Sequence, residues 1–341
     1  MNLLLSLLKH KNHYYAELPY NLNWQIKDVA PFRSFLRDNP ISVVDIGARG
    51  GITGELANLQ SCISYCAFEA DPAECRRLQD HPPGGFHSYR VYPYFIGDKI
   101  GDVDFHLYHH AGVSSLLKPD QRFSKYFTGP AFHIERTVRV NSVMLDHVME
   151  MEKIPSPDFI KLDTQGTELN ILQSSPNALS NALLVEVEVE FLPIYEGQSL
   201  FHDVCGFMYK QGFELLYVNR VFGQRTVYRG DSRGQLIFGD ALFGRREDHL
   251  NGMDIRKISK YAFLLVNYGH IDISYHLCSL YPEILNVIPQ IRGCFKAPRY
   301  RKLRSVKRFL IQQIDKLLCL ILHWRKTNAD NCDSDRCWPF R

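Results

Sequence analysis

The residues with the spacing for chemistry fall in short runs that each close a hydrophobic stretch. The first is Val44-Asp45-Ile46-Gly47-Ala48-Arg49-Gly50-Gly51. A β-branched run that breaks into glycines reads as a buried strand and a loop whose backbone N–H groups can approach a ligand closely. A dinucleotide fingerprint would need glycine at 47, 49 and 52, and Arg49 and Ile52 depart from it. Asp45-x-Gly47 with Ala48 and Gly51 remains, as a ligand loop or as a plain tight turn. The second run, Phe68-Glu69-Ala70-Asp71-Pro72, puts Glu69 at a strand tip, where a carboxylate can bind both hydroxyls of a ribose. Asp71, just before Pro72, reads as a helix cap.

The third run is Phe159-Ile160-Lys161-Leu162-Asp163-Thr164-Gln165-Gly166-Thr167-Glu168. Open α/β sheets bind ligands beyond the carboxyl ends of their strands, so Asp163 and Gln165 are expected to face the same crevice as Gly47 and Glu69. Glu168 reads as an acid in the first turn of the next helix. Leu183 to Glu190 alternates strictly, so Glu186, Glu188 and Glu190 share one face. A covered parallel strand should be apolar on both faces, so three acids there need solvent, basic partners or a metal. One reading is an exposed or arginine-paired face. The other puts Glu188 beside Asp163 at the border of an acceptor pocket, with a metal held by that pair as the rival. His109, His110 and His133 are loop alternatives for a base, and Ser114-Ser115 is ordinary loop chemistry.

The elements that must position these groups follow from periodicity. Strands are expected at 41–47, 65–68, 91–96, 103–108, 159–162 and 183–190, with extended pieces at 138–140, 213–218, 226–228 and 235–238. Gly97 to Gly101 reads as the turn of a hairpin between the third and fourth of these. Helices are expected at 53–60, around Arg76, at 142–150 and at 167–174. Strands alternating with helices imply an α/β fold with a mainly parallel, doubly wound sheet. Four segments result: a helical lead-in at 1–40, the α/β domain at 41–245, a helical pair at 246–295 and a basic amphipathic tail at 296–341.

Taken together, these runs resemble the FkbM-type methyltransferases. The likeness lies in Asp45-Ile-Gly-Ala with Gly51, Phe68-Glu69-Ala-Asp-Pro, Asp158 to Leu169, Tyr195-Glu-Gly-Gln-Ser-Leu-Phe201, Gly212-Phe-Glu-Leu and Asp240-Ala-Leu-Phe. It covers roughly residues 41–245 and is specific in combination. Arg49 stands where the family pattern shows Asn, and Gln165 where many members show Glu. The resemblance implies a class I, Rossmann-like fold and S-adenosylmethionine as cofactor, held by Asp45, Gly47, Ala48, Gly51, Glu69 and Asp163. It also implies methyl transfer to a hydroxyl of a saccharide, glycolipid or related metabolite. The position of Asp163 at a strand tip beside Gln165 makes it the expected base or the group that orients it, with Glu188 as its catalytic neighbour. A non-catalytic binding or scaffold protein on the same fold is the alternative.

Composition sets the remaining bounds. The 341 residues carry 40 basic and 37 acidic side chains, a formal charge of +3. That small value joins unlike parts. Residues 296–341 hold 12 basic and 4 acidic residues, leaving 28 and 33 in the body. The body therefore argues against a nucleic-acid partner, and a small-molecule or glycan acceptor is expected. In the tail, Leu303, Val306, Leu310, Ile314 and Leu317 follow helical spacing beside a crowd of Lys and Arg. It is expected to pack on the body or a partner, or to meet anionic lipid through 296–326. Nine cysteines with no CxxC pair point to a reducing, cytoplasmic setting, with membrane association through the tail as the variant. No metal-ligand spacing is present.

Overall fold

The computed structural model describes residues 29–295, except 53, 128–129, 231 and 233. The expectations for 1–28 and for the basic tail at 296–341 lie outside the described residues. A short 3₁₀ turn leads into α1 (Arg33–Asp38), and Asn39-Pro40 then releases β1 (Ile41–Ile46). A 3₁₀ segment, Gly54–Cys62, separates β1 from β2 (Ile63–Phe68) where an α-helix was expected. α2 (Pro72–Asp80) follows with Asp71 as its N-cap, accepting from Ala73 and Glu74 N–H. Then come β3 (Ser88–Tyr92), β4 (Phe95–Ile96), β5 (Gly101–Tyr108), α3 (Gln121–Phe127), β6 (Ile134–Val143) and α4 (Leu145–Met151). The second half runs β7 (Phe159–Leu162), α5 (Glu168–Gln173), α6 (Pro176–Asn181), β8 (Leu184–Glu190), α7 (Phe201–Lys210), β9 (Phe213–Gly223) and β10 (Gln235–Arg245). Three helices close the described chain: α8 (Ile255–Asn267), α9 (Ile271–Leu280) and α10 (Ile284–Val287).

Seven strands form one sheet in the order β3-β2-β1-β7-β8-β10-β9. Neighbours pair in parallel from β3 through β8, and β10 lies antiparallel to both β8 and β9. The order reverses between β1 and β7, so the crevice outside their carboxyl ends is the topological switch point. This is the class I, Rossmann-like arrangement of a mainly parallel, doubly wound sheet.

Two expectations fail at β3 and β4. Val91 to Ile96 does not make one strand, because Pro93 has no N–H for a ladder and the chain changes sheets there. Nor do β4 and β5 pair as a hairpin: β6 lies between them in a small sheet of order β4-β6-β5. The region 226–228 is a turn, while β9 extends to Gly223.

Both faces of the large sheet are covered. Val43, Tyr65, Phe159 and Leu184 pack with Ile258, Phe263 and Leu264 of α8 and with Leu277 of α9. Val44, Ile46, Leu162, Val185 and Val187 pack with α4–α7 on the other side. Asp158, 2% exposed, anchors α8 to the start of β7: it accepts from Ser42 N–H at 2.9 Å and from Lys260 Nζ at 2.7 Å, with Lys257 Nζ at 3.5 Å. A third cluster of Tyr108, Phe123, Ile194, Tyr195 and Ile237 roofs the carboxyl end of the sheet. Among the described residues no helix is long and apolar enough to cross a membrane, and six cysteines are free.

Candidate active site

The first wall of the crevice is the turn after β1. Gly47 has φ +79°, and Gly47 and Ala48 both donate their N–H to Phe68 O at 3.1 Å, which ties the turn to β2. Asp163 N–H donates to Ile46 O at 3.0 Å, bringing the tip of β7 against the same turn. The approach is so close that a Cβ on Gly47 would run into the carbonyl of Asp163. Gly51, also at positive φ, donates to Ala48 O and closes the loop.

Asp45 lies beneath this turn, 3% exposed. Its Oδ2 accepts from Tyr65 OH at 2.5 Å, and its Oδ1 has no hydrogen-bond partner. Burial raises its proton affinity, while Lys161, with Nζ 3.9 Å from Oδ1, works against that rise. Lys161 sits opposite Asp45 on one side and Glu186 on the other in the parallel ladders. Burial disfavours its charge, but Asp45, Asp163, Glu186 and Asp240 outweigh that and hold it protonated.

Glu69 occupies the tip of β2, 6% exposed, and accepts from Asp71 N–H at 2.8 Å. Burial raises its proton affinity. Arg49 pairs with the N-cap Asp71 at 2.8 Å, and Gly50 N–H donates to Glu74 at 3.0 Å. The arginine that departs from the family pattern thus clamps the glycine loop to the first turn of α2.

The second wall is the turn after β7. Glu168, 3% exposed, accepts from Thr164 N–H at 2.7 Å and from Gly166 N–H at 3.0 Å, so it organises the turn from below. Gln165 has φ +60°, and its carbonyl accepts from the fully buried Ser115 Oγ at 2.6 Å. Its Nε2 donates to Asp163 Oδ1 at 2.8 Å and to Glu188 Oε2 at 2.6 Å. At the other end of the amide, Oε1 lies 2.9 Å from the buried Tyr195 hydroxyl, which also reaches Val113 O at 2.8 Å. Burial raises the Glu188 pKa well above the ordinary glutamate value, helped by Asp163, Glu190, Glu168 and Asp240. Glu190, 2% exposed, is raised in the same way, with Glu168 as the largest neighbouring charge.

The structure therefore brings Asp45, Gly47, Ala48 and Asp163 into one turn-to-turn contact, and joins Asp163 to Glu188 through a single amide. Glu186 points elsewhere, accepting from Tyr268 OH at 3.2 Å. His109 pairs with Glu135 on the small sheet with 62% of its side chain exposed, and His110 and His133 are exposed beside it. Among the described residues no three His, Cys, Asp or Glu side chains converge to hold a metal ion. Sequence reading missed Lys161 as part of the site, although it alternates with apolar residues in a buried strand. Tyr195 opens a motif shared with the family and Ser115 lies in a noted loop, but nothing local ties either of them to Gln165.

The profile of the Methyltransferase FkbM domain matches residues 45–215, which spans both walls of the crevice. This chain belongs to the FkbM methyltransferase family. One similar protein is the 2-O-methyltransferase NoeI of Sinorhizobium fredii (strain NBRC 101917 / NGR234), 25% identical over 168 residues. That match takes in 46% of this chain and 66% of the relative, just under two thirds of its length. Among solved structures, a putative RNA methyltransferase, PH1948 of Pyrococcus horikoshii, is 11% identical at a TM-score of 0.29, covering 72% of this chain and all of that one. The precorrin-6y C5,15-methyltransferase of Geobacter metallireducens GS-15 is 12% identical at a TM-score of 0.29, covering 65% and 92%. The fold of the methyltransferase is accordingly read from its own strand order.

Proposed function

We propose that this methyltransferase moves a methyl group from S-adenosylmethionine to a hydroxyl of a saccharide, glycolipid or related small metabolite. The observation that carries the reading is the pair Asp163–Glu188, joined by one amide, beside a glycine turn packed so closely on Asp163 that it admits no side chain. The residues fit the cofactor. Gly47, Ala48 and Gly51 would line it, Glu69 would take the ribose hydroxyls, and Asp163 would face it from β7. Asp45, with an unpartnered buried oxygen under the turn, would support the loop from below.

When bound, S-adenosylmethionine supplies an electrophilic methyl on a sulfonium, whose bonding pair stays on sulfur. The chain must then align the acceptor oxygen and take its proton. Alignment can supply several kcal/mol, and a positioned base typically about 10²–10⁴-fold. Asp163 and Glu188 are the proton-handling pair in this reading. Burial raises the proton affinity of Glu188, so it binds a proton more tightly than an ordinary carboxylate. The relative named as a 2-O-methyltransferase supports hydroxyl transfer. The excess of acidic over basic residues in residues 1–295 supports an uncharged or small acceptor over nucleic acid.

Asp163→Asn tests the assignment. Turnover on a panel of monosaccharide and glycolipid acceptors is expected to fall about 10²-fold or more. Near-normal turnover with unchanged affinity for S-adenosylmethionine would remove Asp163 from the machinery. A wild-type protein that binds neither S-adenosylmethionine nor its demethylated product in calorimetry would favour the scaffold alternative.

A further inference from the structure

The amide of Gln165 has one orientation that its surroundings accept. Turned the other way, its carbonyl oxygen would face two carboxylate oxygens, and while both acids are ionised neither contact would be a hydrogen bond. With the NH2 toward the acids, both N–H bonds are used, on Asp163 Oδ1 at 2.8 Å and on Glu188 Oε2 at 2.6 Å. The Tyr195 hydroxyl then meets the carbonyl end. The backbone is held as firmly. Gln165 sits at φ +60°, a region that non-glycine residues seldom adopt, and the buried Ser115 pins its carbonyl. Gly166 beside it packs against Leu117 and Tyr195, where an added Cβ would lie 3.1 Å from each.

We propose that Gln165 is a positioning residue whose amide makes Asp163 and Glu188 act as one proton-accepting unit. This rests on the methyl-transfer reading above. Two carboxylates brought onto one small group would otherwise hold a proton between them. Donation to both stabilises their ionised forms, so the pair is ready to receive the proton of the acceptor hydroxyl. One carboxylate becomes a carboxylic acid as the acceptor oxygen gains the methyl. The charged and titratable groups facing the unit are Asp45 on β1, Lys161 on β7, Glu190 on β8, Glu168 at the start of α5, Asp240 on β10 and the Tyr195 phenol. Acids outnumber the one cation, so the amide is the neutral donor that lets them stay apart without a second cation. At the position where many family members show Glu, this chain carries the residue that can donate twice.

The test uses the full chain without ligand and reads stability against pH. In Gln165→Met the donation is lost, and the proton affinity of Glu188 in the folded state rises further. A carboxylate with a raised folded-state pKa loses stability as pH rises from the ordinary glutamate range through the folded value. The deficit of Gln165→Met relative to wild type is therefore expected to grow between a pH below the wild-type folded value of Glu188 and one above that of the variant, by about tenfold in the folding constant for each pKa unit that separates the two. Combined with Glu188→Gln, the deficit should become flat with pH. Gln165→Glu, which keeps the shape and the Tyr195 contact, should show the same growing deficit even where the Met variant does not fold. A deficit equal at both pH values, in either variant, overturns the proposal and leaves Gln165 a packing residue. Calorimetry with S-adenosylhomocysteine runs alongside: a wild type that fails to bind it sinks the methyl-transfer reading and, with it, the catalytic role of the unit. The melting data then still decide whether the amide governs the pair.

Discussion

Gly47→Ala probes the contact that brings the two walls of the crevice together. The substitution adds one methyl at φ +79°, within 2.9 Å of the Asp163 carbonyl carbon and closer still to its oxygen. The obstacle is backbone, so no rotamer relieves it. A left-handed conformation costs an alanine about 1–2 kcal/mol, and overpacking a rigid neighbour about 1–3 kcal/mol more. The expected loss is thus about 2–5 kcal/mol, read as a fall in the urea midpoint at unchanged slope. Relief requires the tips of β1 and β7 to part, so affinity for S-adenosylmethionine should drop by about tenfold or more, the equivalent of a further 1.4 kcal/mol. Gly50→Ala is the internal control. Gly50 is also left-handed at φ +84°, but nothing lies within 4 Å of its would-be Cβ. It should show only the conformational cost, about 1–2 kcal/mol, with donor binding intact. If Gly47→Ala matched Gly50→Ala in both measurements, the close approach of Gly47 to Asp163 would play no part in the site.

Two further outcomes concern the frame and the buried acids. Asp158→Ala strands Lys257 and Lys260, which keep 20% and 17% side-chain exposure, and leaves Ser42 N–H unpaired. A loss of about 2–4 kcal/mol in urea unfolding is expected, and one below about 0.5 kcal/mol would show that α8 is held by its apolar face alone. Glu190 is buried with its proton affinity raised by burial and by Glu168, so folding favours its neutral form. Stability from this group is present below the ordinary glutamate range and is lost as pH rises through the folded value. Glu190→Gln should therefore raise the melting temperature more at about pH 8 than at about pH 5, and a uniform shift would refute the assignment.

Much of the large sheet could be read from the chain itself. β1, β2 and β7 are short, mostly apolar runs that lead into a glycine or an acid, because a strand buried on both faces must be apolar and the binding end must not be. The alternation of β8 likewise placed three glutamates on one face without coordinates. β6 was legible only at 138–140 because its residues are polar on the open side of a small sheet, and β3 and β4 were merged because nothing local shows that Pro93 parts them. Strand pairing was out of reach because the partners of β6 are distant along the chain, from Tyr108 opposite Ile134 to Phe95 opposite Ser142.

The site divides along the same line. Residue type and order along the chain were enough to nominate Gly47, Glu69 and Asp163, since each follows a strand that must end at the crevice, and the alternation of β8 nominated Glu188. What those residues touch was settled only by the reversal of strand order between β1 and β7 and by the roof above it. That packing put Gly47 on the Asp163 carbonyl and set Gln165 between Asp163, Glu188 and Tyr195. It also turned Arg49 from a misplaced loop residue into the clamp on Asp71. Hydrogen bonds of this kind act over about 3 Å and so belong to distance in space, which a one-dimensional pattern does not carry.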